Sequence, residues 1–165
     1  MNVIANSRVV MADHPNLEEH LRRELAWEFG QGLVDLKHVR SLVSSPLLMS
    51  FCVRAFTHPM LASAGDTYLD TRTLLADWPL KTRAISLCEF TRLEGMLAFV
   101  DEYSLSDASL IKLQVWPYSP QSLDGFAMAI AVALSYTPSE LMQESRISLA
   151  IDELVGEWGY YADGF

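Results

Sequence analysis

The stretch from Gly125 to Ser139 reads GFAMAIAVALSYTPS, fifteen residues without a charged side chain. A membrane-spanning helix needs roughly 20 apolar residues, so this stretch is too short to cross a bilayer. Because it is apolar almost all round, a helix here belongs at the centre of a packed core. Thr137 and Glu140 have capping-box spacing around Pro138, which predicts that a second helix starts at once and runs to about Val155.

The apolar runs on the N-terminal side of this stretch also favour helices. They predict an all-α fold, one compact multi-helix domain over residues 1–165 around the buried apolar helix, with residues 1–13 as a candidate flexible N-terminus. The alternative is an α+β fold with a minor strand near 146–151, because apolar and polar residues alternate there. The helices expected before the apolar stretch span residues 16–30, 33–44, 46–57, 69–77, 79–103 and 104–115.

The composition limits the partners that the chain can have. Half of its 165 residues are hydrophobic, and its net charge is −9. Residues 140–165 contain six acidic side chains and one basic side chain, Arg146. Nucleic acid and anionic membrane surfaces would be repelled, whereas a basic protein surface is allowed. Residues 1–11 lack the apolar run of a signal peptide, so the cytoplasm is the expected compartment.

No residue pattern indicates catalysis, a cofactor or a metal. Cys52 and Cys88 are far apart and are expected to be buried thiols. His20 and Glu24 have the spacing of two ligands on one helix face, but no further ligands stand nearby. The chain has neither a nucleophile elbow nor a glycine-rich phosphate loop. Asp101 and Glu102 are adjacent, so on a helix they point to different sides and are expected to be solvated. We therefore predict that the protein is not an enzyme.

Aromatic and acidic side chains near the C-terminus form the candidate partner interface. Aromatic residues dominate the binding energy of protein interfaces, and an acidic helix face steers a basic partner. The alternative is that the aromatic tail folds back to cover the end of the domain, and the same two interpretations apply to Trp116 and Tyr118. The candidate interface residues are Trp158, Tyr160, Tyr161, Phe165, Glu140 and Glu144.

Two pieces of sequence carry a family resemblance over about residues 78–150. One is Trp78-Pro79 leading into a long helix that closes with Phe99-Val100-Asp101-Glu102. The other is Asp124-Gly125-Phe126-Ala127, an apolar helix, Pro138, and then Arg146-Ile147-Ser148-Leu149. This order resembles the type III secretion SctK (YscK-like) family, small cytosolic helical proteins of the sorting platform. The resemblance implies an adaptor that links the inner-membrane ring to the cytosolic pod and the export ATPase, and it implies no catalytic residue.

A second class of function suits the same small, acidic chain. It is an acidic secretion chaperone or a toxin-neutralising immunity protein, whose partner would be one basic toxin or effector. The adaptor is expected to contact several large components of the secretion ring, pod and ATPase complex, whereas the neutralising protein is expected to bind one partner tightly. An effector chaperone would also need several alternating strands, and the sequence offers one.

Overall fold

The computed structural model of the chain describes residues 45–123 and 125–163. Within these residues it has four strands and five α-helices. The strands are β1 (Met49–Arg54), β2 (Ala62–Ser63), β3 (Lys81–Ser86) and β4 (Leu110–Trp116). The helices are α1 (Gly65–Arg72), α2 (Leu87–Leu93), α3 (Gly125–Ser135), α4 (Pro138–Gln143) and α5 (Ser145–Asp163), with 3-10 turns at Glu94–Met96 and Pro120–Ser122.

The contacts divide the chain into two compact units. Pro46–Ser122 form one unit, which contains all four described strands, and the described residues from Leu123 onward belong to the other. The expected flexible segment 1–13 and the two helices expected before residue 45 lie outside the described residues. That the whole chain is a single domain stays a prediction.

The four strands form one mixed sheet in the order β1-β4-β3-β2. β4 is the central element: it pairs antiparallel with β1 and parallel with β3, while β2 pairs antiparallel with β3. Parallel neighbours need a crossover connection. Here that connection contains α2, the turn Glu94–Met96 and a long irregular segment before β4.

One face of the sheet holds the larger apolar cluster of this unit. The register places Val53, Ile85 and Leu113 on the same face, because side chains alternate along each strand. Phe90 of α2 is buried against this face, so α2 covers it. The buried members of the cluster are Val53, Ile85, Phe90, Ile111, Leu113 and Val115.

Helix α1 is fixed to β3 by backbone contacts. The Thr82 backbone N–H donates to the Thr67 hydroxyl over 2.8 Å, and the Ala64 N–H donates to the Thr82 carbonyl over 3.2 Å. Gly65 starts the helix with φ +50°, and a Cβ there would lie 3.1 Å from the Thr82 methyl carbon. Both the left-handed backbone and the close approach require glycine at this position.

The C-terminal unit begins with the apolar helix that the sequence predicts. α3 is buried from Met128 onward and the buried run extends to Tyr136, after which Thr137 caps α4 in a complete capping box with Glu140. Glu144 leaves the helical conformation, so the helix expected to run to about residue 155 is divided into α4 and α5. Within the described residues, no helix combines the length and the apolar character that crossing a membrane requires.

The all-α prediction is wrong, because the described residues form an α+β structure with a four-stranded sheet. The alternative strand near 146–151 is also misplaced, since these residues belong to α5. There the buried positions Ile147, Ala150, Ile151 and Leu154 follow helical spacing, which stabilises a helix with one apolar face.

Three of the predicted helices contain strands instead. β1 lies within 46–57, β3 within 79–103 and β4 within 104–115. The short helix expected over 69–77 begins earlier, at Gly65, and ends at Arg72. A short apolar run bounded by turns is compatible with either a buried helix or a buried strand. Pairing between distant segments stabilises these strands, and the alternation of apolar and polar residues over Ile111–Val115 is a local pattern that already indicates β4.

Candidate partner-binding surface

Residues 94–109, which connect α2 to β4, form the candidate site; we call them the acidic segment. They contain the acidic residues Glu94, Asp101, Glu102 and Asp107 and no Lys, Arg or His. Apart from the turn at Glu94–Met96 the segment is irregular, and it lies entirely within the unit that holds the sheet. Its position is therefore set by contacts with the strands.

The middle of the acidic segment pairs with the outer edge of β1. The Arg54 N–H donates to the Ala98 carbonyl over 3.0 Å, and the Val100 N–H donates to the Cys52 carbonyl over 2.8 Å. Between these bonds Phe99 lies opposite Val53 in an antiparallel bridge. An uncovered strand edge invites pairing with other chains, so the acidic segment protects this edge while being held in place by it.

An aromatic stack anchors the same part of the segment to the sheet. The Phe99 ring meets the Phe51 ring edge-on at 5.3 Å between centroids, and Phe51 stacks on Phe90 at 5.5 Å. Such aromatic pairs add to the stability gained by burial. Phe99 nevertheless keeps 45% of its surface exposed, so part of an anchored ring faces outward.

Leu97 and Val100 of the segment pack against the core, but three other large apolar side chains are more exposed than a core would leave them. Met96 is 76% exposed, Tyr103 49% and Leu105 46%. The Leu105 carbonyl accepts the Leu80 N–H over 2.9 Å, which fixes this end of the segment to the start of β3. Exposed apolar groups concentrated in one segment mark an interaction surface more often than scattered ones do.

Hydrogen bonds hold a negative charge at the end of the acidic segment. An Asp107 side-chain oxygen accepts the Ser109 hydroxyl over 2.6 Å and the Ser109 N–H over 2.9 Å. The hydroxyl contact is the main reason that the pKa of Asp107 lies below its ordinary value. Asp101 and Glu102 are exposed. The segment thus presents carboxylates beside apolar and aromatic groups.

Glu140 and Glu144, two of the predicted interface residues, belong to the C-terminal unit. Glu140 and Glu144 are exposed on α4 and at its end, and Glu140 also closes the capping box by accepting the Thr137 N–H over 3.1 Å. Trp158, Tyr160 and Tyr161 lie on the last turns of α5, where the side chains lie outside the described part. Phe165 also lies outside it.

Of the two further aromatic candidates, Trp116 is buried and Tyr118 is half-buried against it. Trp116 is fully buried and its indole N–H donates to Gln114 Oε1 over 3.0 Å. Tyr118 contacts the Trp116 ring edge-on at 6.1 Å, and burial raises the pKa of its hydroxyl. These contacts favour a structural role for both residues.

The sequence does not predict Met96, Tyr103 and Leu105 as surface groups, because they fall in segments expected to be helical, on which apolar residues normally face a core. The lack of any basic residue over 94–109, together with three serines and one alanine between Ser104 and Ser109, is the signal in the sequence for an exposed connection.

Of the two cysteines predicted to be buried, one is buried and the other is exposed. Cys52 is buried, as expected, and desolvation is the main cause that raises the pKa of its thiol. Cys88 is exposed on α2, so the prediction of a buried thiol there is wrong. Among the described residues, no three His, Cys, Asp or Glu side chains are grouped in a way that could hold a metal ion.

Comparison with known proteins gives no relative from which a role could be transferred. No family model matches the chain, and neither a curated protein nor a solved structure shows significant similarity to it. The described residues and the resemblance over 78–150 are therefore the basis for the proposed function. Of the two pieces that carry that resemblance, the first does not form the expected long helix, whereas the second contains α3 and places Pro138 at the start of α4.

Proposed function

We propose that this chain is a non-enzymatic protein-binding adaptor whose acidic segment binds a basic, partly apolar surface of its partner. The observation that carries the proposal is the exposure of Met96, Phe99, Tyr103 and Leu105 on a segment that the sheet holds in place. Aromatic residues and methionine are enriched at protein interfaces, and preorganised groups lose less entropy on binding.

Charge selects the class of partner. The acidic segment has four carboxylates and no cation, and the whole chain has a net charge of −9. Complementary charge raises association rates and disfavours partners of the same sign. The proposed partner is thus a basic protein, while nucleic acid, with its negative backbone, is disfavoured.

The resemblance to the SctK family supplies a specific form of this proposal. In that form the chain works in the cytoplasm and connects the inner-membrane ring of a type III secretion system to the pod and ATPase complex. The second candidate is a toxin-neutralising immunity protein or acidic chaperone, which the same surface suits because an acidic segment with apolar groups can cover a basic active site. The two forms differ in the number of partners and in the tightness of binding.

Affinity capture with matched variants tests the proposal. The tagged full chain is expressed in its native cells and captured from their lysate at low salt, and the captured proteins are quantified by mass spectrometry. Met96→Ser/Tyr103→Ser removes two exposed apolar groups from the acidic segment. Met142→Ser/Leu149→Ser is the control, since these side chains are 87% and 67% exposed on α4 and α5.

The proposal expects a basic partner whose recovery falls at least several-fold with the first double variant and stays unchanged with the control. Ring, pod or ATPase components at low occupancy would favour the secretion adaptor, and one basic protein at near-equal amount would favour neutralisation or chaperoning. Equal recovery by wild type and the Met96/Tyr103 variant would contradict the proposed surface.

A further inference from the structure

A pocket of about 370 Å³ lies at one end of the sheet, where Ala108 at the end of the acidic segment forms part of its lining. Its floor comes from the beginnings of β3 and β4, and the chain that follows β1 forms its wall. Phe56, Leu61 and Ile111 make part of it apolar. Its volume is within the range of small-molecule sites, about 300–1,000 Å³.

The polar groups of this pocket are basic or neutral. Its lining residues, all within the described part of the chain, include Lys81, Arg83, His58 and Ser63 and no Asp or Glu. Lys81 and Arg83 lie two residues apart on β3, so the strand directs both side chains to the same face of the sheet. Although the chain has an excess of acidic residues, two basic side chains line this pocket.

Neighbouring groups set the positions of these cations. Arg83 Nη1 donates to Ser63 Oγ over 2.7 Å, which holds the guanidinium at a neutral acceptor and leaves its positive charge uncompensated by that contact. Lys81 Nζ donates to Asp77 Oδ2 over 3.1 Å, and the other oxygen of Asp77 accepts the Trp78 N–H over 2.8 Å. Asp77 thus forms an ion pair with Lys81 from outside the lining, and Arg83 carries the main uncompensated charge of the pocket.

The wall beside His58 is also held in place. His58 Nδ1 accepts the Met60 N–H over 3.1 Å, while His58 Nε2 lies 4.0 Å from Glu89 Oε2. The Gln121 amide donates to the carbonyls of Pro59 and Leu61. The pocket is therefore built by contacts between distant parts of the chain rather than left between mobile side chains.

We propose that this pocket binds a small organic oxyanion, with its phosphate or carboxylate group on Arg83 and Lys81 and its carbon atoms against Phe56, Leu61 and Ile111. Guanidinium groups bind both kinds of oxyanion through paired, charge-assisted hydrogen bonds. The apolar wall favours a ligand with a carbon body over a free inorganic ion. This inference does not depend on the proposed function, because the side chains assigned to the ligand lie outside the acidic segment.

Titrations of the full chain followed by ¹H–¹⁵N NMR test this site, with inorganic phosphate, glycerol phosphate and acetate as probes at constant ionic strength. Arg83→Gln removes the main cation, and Arg72→Gln on α1 makes the same change of charge outside the lining. Loss of a charge-assisted bond predicts about tenfold weaker binding in Arg83→Gln. Binding to Arg72→Gln is expected to equal wild type.

Saturable shifts of Ser63, Lys81 and Arg83 signals that Arg83→Gln weakens would support the site. Tighter binding of glycerol phosphate than of acetate would assign it to phosphate compounds, and the reverse order to carboxylic acids. Absence of saturable shifts with all three probes, or equal affinities of wild type and Arg83→Gln, would overturn the proposal.

Discussion

Asp107 illustrates how single residues shape the acidic segment. Its carboxylate accepts two hydrogen bonds from Ser109, of which the hydroxyl bond has the larger effect on its pKa. Hydrogen bonds to the charged form favour that form, so the lowered pKa keeps Asp107 negative over a wider pH range. One serine two residues along the chain thus contributes both to the turn and to the charge of the proposed surface.

Ser109→Ala tests this contact through its pH dependence. Because the folded state lowers the pKa of Asp107, the contact stabilises the protein above the ordinary carboxyl value of 3.8 and loses its effect as the pH falls through the folded-state pKa. Urea unfolding should show the variant less stable than wild type near pH 7, with the difference shrinking at lower pH.

Ser106→Ala is the matched control, since the Ser106 hydroxyl contacts the Ser104 hydroxyl at 2.8 Å rather than a carboxylate. Its stability difference from wild type should not follow the titration of Asp107. A pH-independent difference for Ser109→Ala would contradict the assigned role of this hydrogen bond.

At the scale of elements, the attachment of α1 to β3 depends on a buried hydroxyl. Thr67 and Thr82 are 7% and 8% exposed, and the Thr82 N–H has its described partner in the Thr67 hydroxyl. A buried backbone donor that loses its acceptor costs the free energy of its desolvation. The helix is thus joined to the sheet by a bond that either element alone would lack.

Thr67→Ala should lower the free energy of unfolding by about 1–3 kcal/mol, because it leaves the Thr82 N–H without this acceptor. Thr71→Ala on the same helix removes an exposed hydroxyl that donates to the Tyr68 carbonyl over 2.6 Å and should cost less than about 1 kcal/mol. Chemical denaturation of both variants measures the difference. Equal decreases in the free energy of unfolding would contradict a larger contribution from the buried hydrogen bond.

The same scale explains how far the sequence predicts the fold. The apolar helix α3 and the Thr137 cap follow from local patterns, since an uncharged run and a capping box act within a few residues. The strands do not follow so directly. In β4 apolar and polar residues do alternate from Ile111 to Val115, which is the pattern of a strand, but the run is short, and Lys112 and Gln114 are its two polar members on a strand that is buried on both faces at most positions.

The candidate surface was still harder to predict. Met96, Tyr103 and Leu105 are apolar, and their exposure depends on how the acidic segment lies along β1, a strand that itself was predicted as a helix. Lys81 and Arg83 likewise become a pair only when β3 is recognised as a strand. Because the strands are predicted as helices, the sequence predicts neither the exposed groups of the acidic segment nor the pairing of Lys81 with Arg83.

For the whole molecule, charge is the property that joins fold and proposed function. The excess of acidic side chains is general, and in the acidic segment it is combined with an anchored, exposed aromatic ring, that of Phe99. The described carboxylates of α5, Asp152 and Glu153, are exposed on a helix and form an adjacent pair like Asp101 and Glu102. The pair on α5 therefore serves as a control that separates the effect of net charge from the effect of the acidic segment.

The most direct measurement is an isothermal titration of the captured partner with wild type, Asp101→Lys/Glu102→Lys and Asp152→Lys/Glu153→Lys at two salt concentrations. Both variants change the net charge equally. We expect the first to bind at least about tenfold more weakly and with less salt dependence, and the second to bind like wild type. Equal affinities for all three, or a loss confined to the α5 variant, would contradict the acidic segment as the partner-binding surface.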